Sequence, residues 1–142
     1  MRQGQQYQDT LPQYANTLLI GGARLCHSWH NDPKGTSTWN LTIHGRKGWL
    51  LFPLNFTPPG VIMSGDGSKD YITPIFPAKF AHGYYMEACL TPGLLECKMK
   101  AVKVMQVSRG WWHMVLNVYP IIFTVSYHFP LPTGLYNTLR LI

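Results

Sequence analysis

HNDPKGTSTWNLTIHGRKGWLLFP, residues 30–53, decides how this chain folds. In its second half, Trp39 to Ile43 and Trp49 to Phe52 are apolar runs that flank His44-Gly45-Arg46-Lys47 and stop at Pro53. Runs of this length around a glycine-containing turn read as a β-hairpin. In its first half, His30 and Asp32 stand two positions apart. Side chains alternate along a strand, so this spacing turns a histidine and a carboxylate to one side of a sheet, where they can grip one ion together.

The rest of the chain extends the β pattern. Val104 to Val107, Ser108-Arg109-Gly110 and Trp111 to Val118 read as a second hairpin, and Ile121 to Phe129 as a final strand rich in Ile, Phe, Val and Tyr. TLLIGG at 17–22 is a short apolar run closed by glycines. Six prolines and SGDGS at 64–68 mark residues 53–97 as a long insert with one or two short strands and a helical turn near Tyr84 to Ala88, with order resuming at Val102. Residues 1–16 form a polar, Gln-rich arm and 130–142 a tail. With 142 residues, one domain is expected, and two similar hairpins without a longer repeat suggest an all-β sandwich or barrel. Trp39, Trp111 and Trp112 are read as core-filling aromatics.

Hydrophobic residues are 46% of the chain and charged residues 13%, a globular composition. The net charge of +6 comes from scattered basic residues, with only Lys98, Lys100 and Lys103 near one another. They read as a solvated strand face, which leaves nucleic-acid binding a minor alternative. Three cysteines without a C-x-x-C pair argue against a disulfide framework, and neither a leader nor a stretch of membrane-spanning length is visible. An intracellular protein, nuclear or cytoplasmic, is therefore expected. The N-x-T sequons at Asn40 and Asn55 then carry no glycan.

His30 and Asp32 need a third ligand, and His27, His44, His82, His113 and His128 are the candidates. His113 follows the second turn on a strand from the other half of a barrel, which is where a third ligand must originate. Two imidazoles and one carboxylate on one face of an ion leave adjacent positions open, the arrangement of non-haem Fe(II) oxygenases. A 2-oxo acid chelates through two of these positions and O2 takes the third. Oxidative decarboxylation then yields an oxidant able to attack an unactivated C–H bond. A rival reading is a closed zinc site made from Cys26, His27, His30 and Asp32, but strand alternation would turn His27 away from His30.

The stretch at 30–53 and RGWWHMVLNV at 109–118, in this order, resemble the JmjC family of Fe(II)- and 2-oxoglutarate-dependent oxygenases, and most of all its lysyl hydroxylase and arginine demethylase branch. The resemblance runs from about Leu18 to Phe129 and is loose in the insert. It implies a double-stranded β-helix, a cupin-like jelly roll, over 17–129, with Fe(II) on His30, Asp32 and His113. It further implies that Lys47 pairs with the far carboxylate of 2-oxoglutarate, that Asn40 lies beside it, that Asn117 lies near the metal, and that Ser126, or else Thr124, offers a hydroxyl to the cosubstrate. Lys47 fits this role physically, because a cation in a mostly apolar barrel needs an anionic partner.

The chain also departs from the family. Cys26-His27-Ser28-Trp29 replaces a small Gly/Thr segment, and His27 stands where a threonine helps hold the cosubstrate. Ser108-Arg109 and Val102-Lys103 replace Pro-Gly and Gly-Glu, and flanking strands and helices are expected to be missing. The expected function is hydroxylation of a protein side chain, or demethylation through hydroxylation, with a protein or peptide and O2 as partners. The alternatives are a truncated or catalytically silent binding or scaffold module, and a cupin-type metal enzyme that uses no 2-oxo acid.

Overall fold

The computed structural model describes residues 16–32, 36–63, 71–72 and 77–129. The elements are β1 (Asn16–Gly22), β2 (Cys26–His30), β3 (Ser37–His44), β4 (Arg46–Phe52), β5 (Ile62–Met63), β6 (Tyr71–Ile72), α1 (Pro77–Gly83), α2 (Tyr85–Leu90), β7 (Leu95–Lys100), β8 (Lys103–Val107), β9 (Trp112–Asn117) and β10 (Ile121–Phe129). Residues 1–15 of the expected arm at 1–16, the tail at 130–142 and the SGDGS stretch lie outside the described residues, while Asn16 opens β1.

Two four-stranded antiparallel sheets make the body, ordered β1-β10-β3-β8 and β2-β9-β4-β7. The pairs β1 with β10, β2 with β9, β3 with β8 and β4 with β7 are nested, as in one long hairpin. The cross-pairs β10 with β3 and β4 with β9 roll that hairpin into two facing sheets. This is the double-stranded β-helix, or jelly roll.

Both expected hairpins are corners between the sheets. β3 and β4 lie in different sheets and are joined by Gly45 alone, at φ +95°. A Cβ on Gly45 would collide with the Ile122 side chain and come within 2.8 Å of the Ile121 carbonyl, so only glycine fits this bend. Gly110, at φ +74°, lies in the β8–β9 corner, where a Cβ would come within 2.8 Å of Leu54 Cδ1. Crossing over lets both arms of each corner share one interior. Trp49, Leu51, Met99 and Val115 of one sheet pack there against Met105 and Val107 of the other. Order also resumes before Val102, because β7 pairs with β4 from Leu51↔Leu95 to Arg46↔Lys100.

The insert forms a second core on the outer face of the β2-β9-β4-β7 sheet. Trp29, Phe52, Trp112 and Met114 point outward there and are covered by Phe80 of α1 and Ala88 of α2, with Tyr84 and Tyr85 packed against them. α2 falls where the helical turn was expected. Trp112 is a core residue, whereas Trp39 is half-buried against Tyr127, ring centroids 5.8 Å apart. Phe52 is 0% exposed at the centre of this layer. Phe52→Ala is therefore expected to cost about 3–5 kcal/mol of stability, read as a lower urea midpoint at unchanged m-value.

On β3 and most of β10 the inner face of the other sheet is polar: Thr38, Asn40, Thr42, Thr124 and Ser126 are all buried. A polar wall inside an apolar sandwich is costly unless something polar meets it. That wall faces the candidate site.

Candidate metal centre

β2 and β9 run side by side and bring His30 opposite His113. Their rings lie 4.0 Å apart between centroids. β2 ends at His30, so Asp32 reaches the same point from the following loop rather than from the strand. That loop is fastened to the β8–β9 corner, where Asn31 Nδ2 donates to the Gly110 carbonyl at 2.9 Å. The ligand atoms of His30, Asp32 and His113 all lie within 4.8 Å of one another. Asp32 and His113 are buried, and Asp32 Oδ1 stands 3.8 Å from His113 Nε2.

Both imidazoles are oriented by their own backbone. His30 Nδ1 lies 2.7 Å from the Ser28 carbonyl and His113 Nδ1 lies 3.3 Å from the Trp111 carbonyl. A carbonyl only accepts, so each Nδ1 carries the proton and each Nε2 presents its lone pair, which is how metal-binding histidines are held. Two neutral imidazoles and a carboxylate converging at the end of a cavity suit a divalent transition metal that keeps open positions toward that cavity.

His27 does not turn away from His30. Its partner is Val115 while that of His30 is His113, so β2 carries one residue more than β9 between these pairs. This β-bulge resets the alternation and brings both histidines inward, ring centroids 5.9 Å apart. His27 still does not join the converging ligand atoms. Cys26 is no part of them either: its Sγ donates to the Arg24 carbonyl at 3.4 Å, and burial pushes its thiol pKa up, away from the thiolate that zinc requires.

A cavity of about 220 Å³ opens from the trio between the two sheets, with Trp49 and Val115 on one wall and Thr38, Asn40 and Ser126 on the other. Lys47 lines it and is 5% exposed. Its Nζ donates to Asn40 Oδ1 at 3.3 Å and lies 5.8 Å from the centre of the Trp49 ring. Burial lowers its pKa to about 8, the mark of an ammonium that has lost water and, among the described residues, gained no anion. Ser126, Asn40 and Thr17 are neighbours across one register row. Thr38 Oγ1 donates to the Tyr127 carbonyl at 3.0 Å and lies 3.3 Å from Ser126 Oγ.

The structure thus brings His30, Asp32, His113, Lys47, Asn40 and Ser126 to one cavity. Thr124 is fully buried and does not line it. Asn117 does not line it either: its Nδ2 donates to the Gly22 carbonyl at 3.2 Å and ties β9 to the end of β1. Thr38 is a lining residue that the sequence motifs do not single out, and His27 lines the cavity although strand alternation would turn it away from His30. Thr38 was legible as the inward residue two before Asn40, whereas His27 was hidden by the bulge.

No protein-family model matches the chain. In sequence it is similar to the arginine-specific demethylase JMJ22 of Arabidopsis thaliana, 39% identical over 102 residues that are 71% of this chain and 20% of that protein. It is 28% identical over 145 residues to the bifunctional arginine demethylase and lysyl-hydroxylase psr-1 of Caenorhabditis elegans, covering 85% of this chain and 33% of that one. With the 2-oxoglutarate and iron-dependent oxygenase JMJD4 of Danio rerio, the identity is 30% over 118 residues, 78% of this chain and 27% of that protein. The chain therefore spans no more than about a third of the length of these relatives. Among solved structures, the cupin domain of Schizosaccharomyces pombe Cnp3 matches with a TM-score of 0.52 at 10% identity, over 87% of this chain and 57% of that one, a likeness of fold alone. Among the described residues, no helix is long and apolar enough to cross a membrane.

Proposed function

We propose that this chain, a homologue of the JmjC-domain demethylases and hydroxylases, is an Fe(II)- and 2-oxoglutarate-dependent oxygenase acting on a protein side chain. The observation that carries the reading is one cavity with a His-Asp-His trio at one end and, along its wall, a buried lysine that meets no anion among the described residues. His30, Asp32 and His113 would hold the iron. Lys47 would pair with the far carboxylate of 2-oxoglutarate, with Asn40 and Ser126 as neighbouring polar groups.

The iron supplies the oxidative chemistry: 2-oxoglutarate loses CO2 and becomes succinate with one atom of O2, and the other atom enters a substrate C–H bond. The protein's part is to orient and to exclude water. Trp49 and Val115 wall the cavity, and the Nδ1–carbonyl bonds keep both imidazoles in the ligating tautomer. The relatives' names point to arginine or lysine side chains as the target, hydroxylated directly or demethylated through hydroxylation.

Lys47 makes cosubstrate affinity depend on pH. Free Lys47 loses its proton near pH 8, and the complex with a dicarboxylate needs the ammonium. Affinity is therefore full below about pH 8 and falls as the pH rises through it, approaching tenfold per pH unit. Lys47→Arg keeps its charge throughout and should flatten this profile. Titrations of 2-oxoglutarate at about pH 7 and about pH 9 check both statements.

The reaction itself is tested by incubating the protein with Fe(II), 2-oxoglutarate, O2 and arginine- and lysine-rich peptides, methylated and unmethylated. Gain of one oxygen atom or loss of a methyl group, absent in His30→Ala, is expected. Cosubstrate binding without product, across substrates and conditions that support a working relative, would favour the silent binding module.

A further inference from the structure

The outer face of the β1-β10-β3-β8 sheet is apolar and open. One register row, Leu18–Val125–Leu41–Val104, crosses all four strands. On one side of it lie Tyr127 and Trp39, and on the other Phe123 and Ile20. Their outward direction follows from alternation, because Asn40, Thr124 and Ser126 between them are buried on the inner face. The insert helices cover the other sheet, and Leu18, Ile20 and Val104 are 59%, 64% and 60% exposed. An apolar sheet face is stable when a further layer buries it.

We propose that this face is covered by a second copy of the chain, the two sheets stacking about 10 Å apart around a two-fold axis. Area and charge both point to a copy. Burying a Val, Leu, Ile or Phe side chain removes roughly 100 Å² of apolar surface, so this partly exposed face offers roughly 500 Å². A standard dimer buries about 800 Å² per partner, of which about 65%, again roughly 500 Å², is apolar. Two copies that each carry a net charge of +6 repel one another unless their contact is free of charge. The rows that make this face hold no Asp, Glu, Lys or Arg. The cations Arg46, Lys98 and Lys100 stand instead on β4 and β7 of the other sheet, the side that an acidic partner would favour.

Sedimentation equilibrium of the full chain tests this, over about 0.1–100 μM, since interfaces of standard size span micromolar to picomolar affinities. Wild type should approach twice the chain mass of 16.2 kDa. Ile20→Lys and Val104→Lys, at opposite edges of the face, should each weaken the dimer by roughly 30-fold or more, because a two-fold axis places the unpaired charge in the contact twice. Leu90→Lys, at an 81% exposed position on α2, should leave the dimer intact. Both edge positions are more than half exposed, so the variants should fold, with an unfolding midpoint equal to that of wild type at concentrations where wild type is monomeric. A wild-type mass of 16.2 kDa throughout would contradict a second copy as the occupant, whether the chain's own terminal residues or another protein covers the face. So would a dimer that neither edge substitution weakens, or a mass that keeps growing with concentration, the sign of pairing at sheet edges.

Discussion

Replacing His113 with alanine is expected to abolish Fe(II)-dependent turnover and to weaken Fe(II) binding by more than ~100-fold, beyond the ~10–100-fold that loss of an outer hydrogen-bond partner of a metal ligand costs. The reason is geometric. The trio draws one ligand from β2, one from the loop after it and one from β9, and without His113 only His30 and Asp32 remain on their shared segment. His113 is 3% exposed and stacks near Trp49, centroids 6.2 Å apart, so the alanine variant also loses packing. His113→Gln separates the two effects: it fills the site without the imidazole, and it should fold with a near-normal unfolding midpoint yet still fail to turn over. Turnover retained in that variant, measured with the peptides that wild type modifies, would break the ligand assignment.

Lys47→Ala is expected to have the second largest effect. A hydrogen-bonded charge pair inside a protein is worth about 2–5 kcal/mol against truncation, so 2-oxoglutarate should bind roughly 30- to 4000-fold more weakly. Fe(II) binding should be retained, because Lys47 is two inward rows from His113 on the neighbouring strand. The protein without ligand should not suffer as most buried truncations do. Lys47 carries a desolvated ammonium that donates to Asn40 and, among the described residues, meets no anion, so removing its charge offsets much of the lost packing. Metal binding and turnover both indifferent to Lys47→Ala would instead mark a cupin-type metal enzyme that uses no 2-oxo acid.

Much of this was legible in the sequence, and the exceptions have physical causes. Alternation placed His30, and the parity of the strand after Gly110 placed His113 inward with Val115. Lys47 and Asn40 could be paired only through the family resemblance, because nothing local distinguishes a lysine beside a turn from one aimed into a barrel. The same weakness made two corners read as hairpins. A glycine at positive φ ends a strand in either case, and the choice at Gly45 is made by Ile121 and Ile122, far away in sequence. β7 was buried in a proline-rich context that hid its pairing with β4. His27 was misplaced because a single extra residue in β2 inverts the face of everything before it, and no residue type in CHSWH announces a bulge.

The most direct measurement is anaerobic addition of Fe(II) and then 2-oxoglutarate to the purified protein, followed by visible absorption. A charge-transfer band of a chelated 2-oxo acid is expected, present in wild type and lost in His30→Ala. A folded protein that binds Fe(II) but develops no such band at saturating 2-oxoglutarate would contradict the assignment of this cavity to an oxygenase.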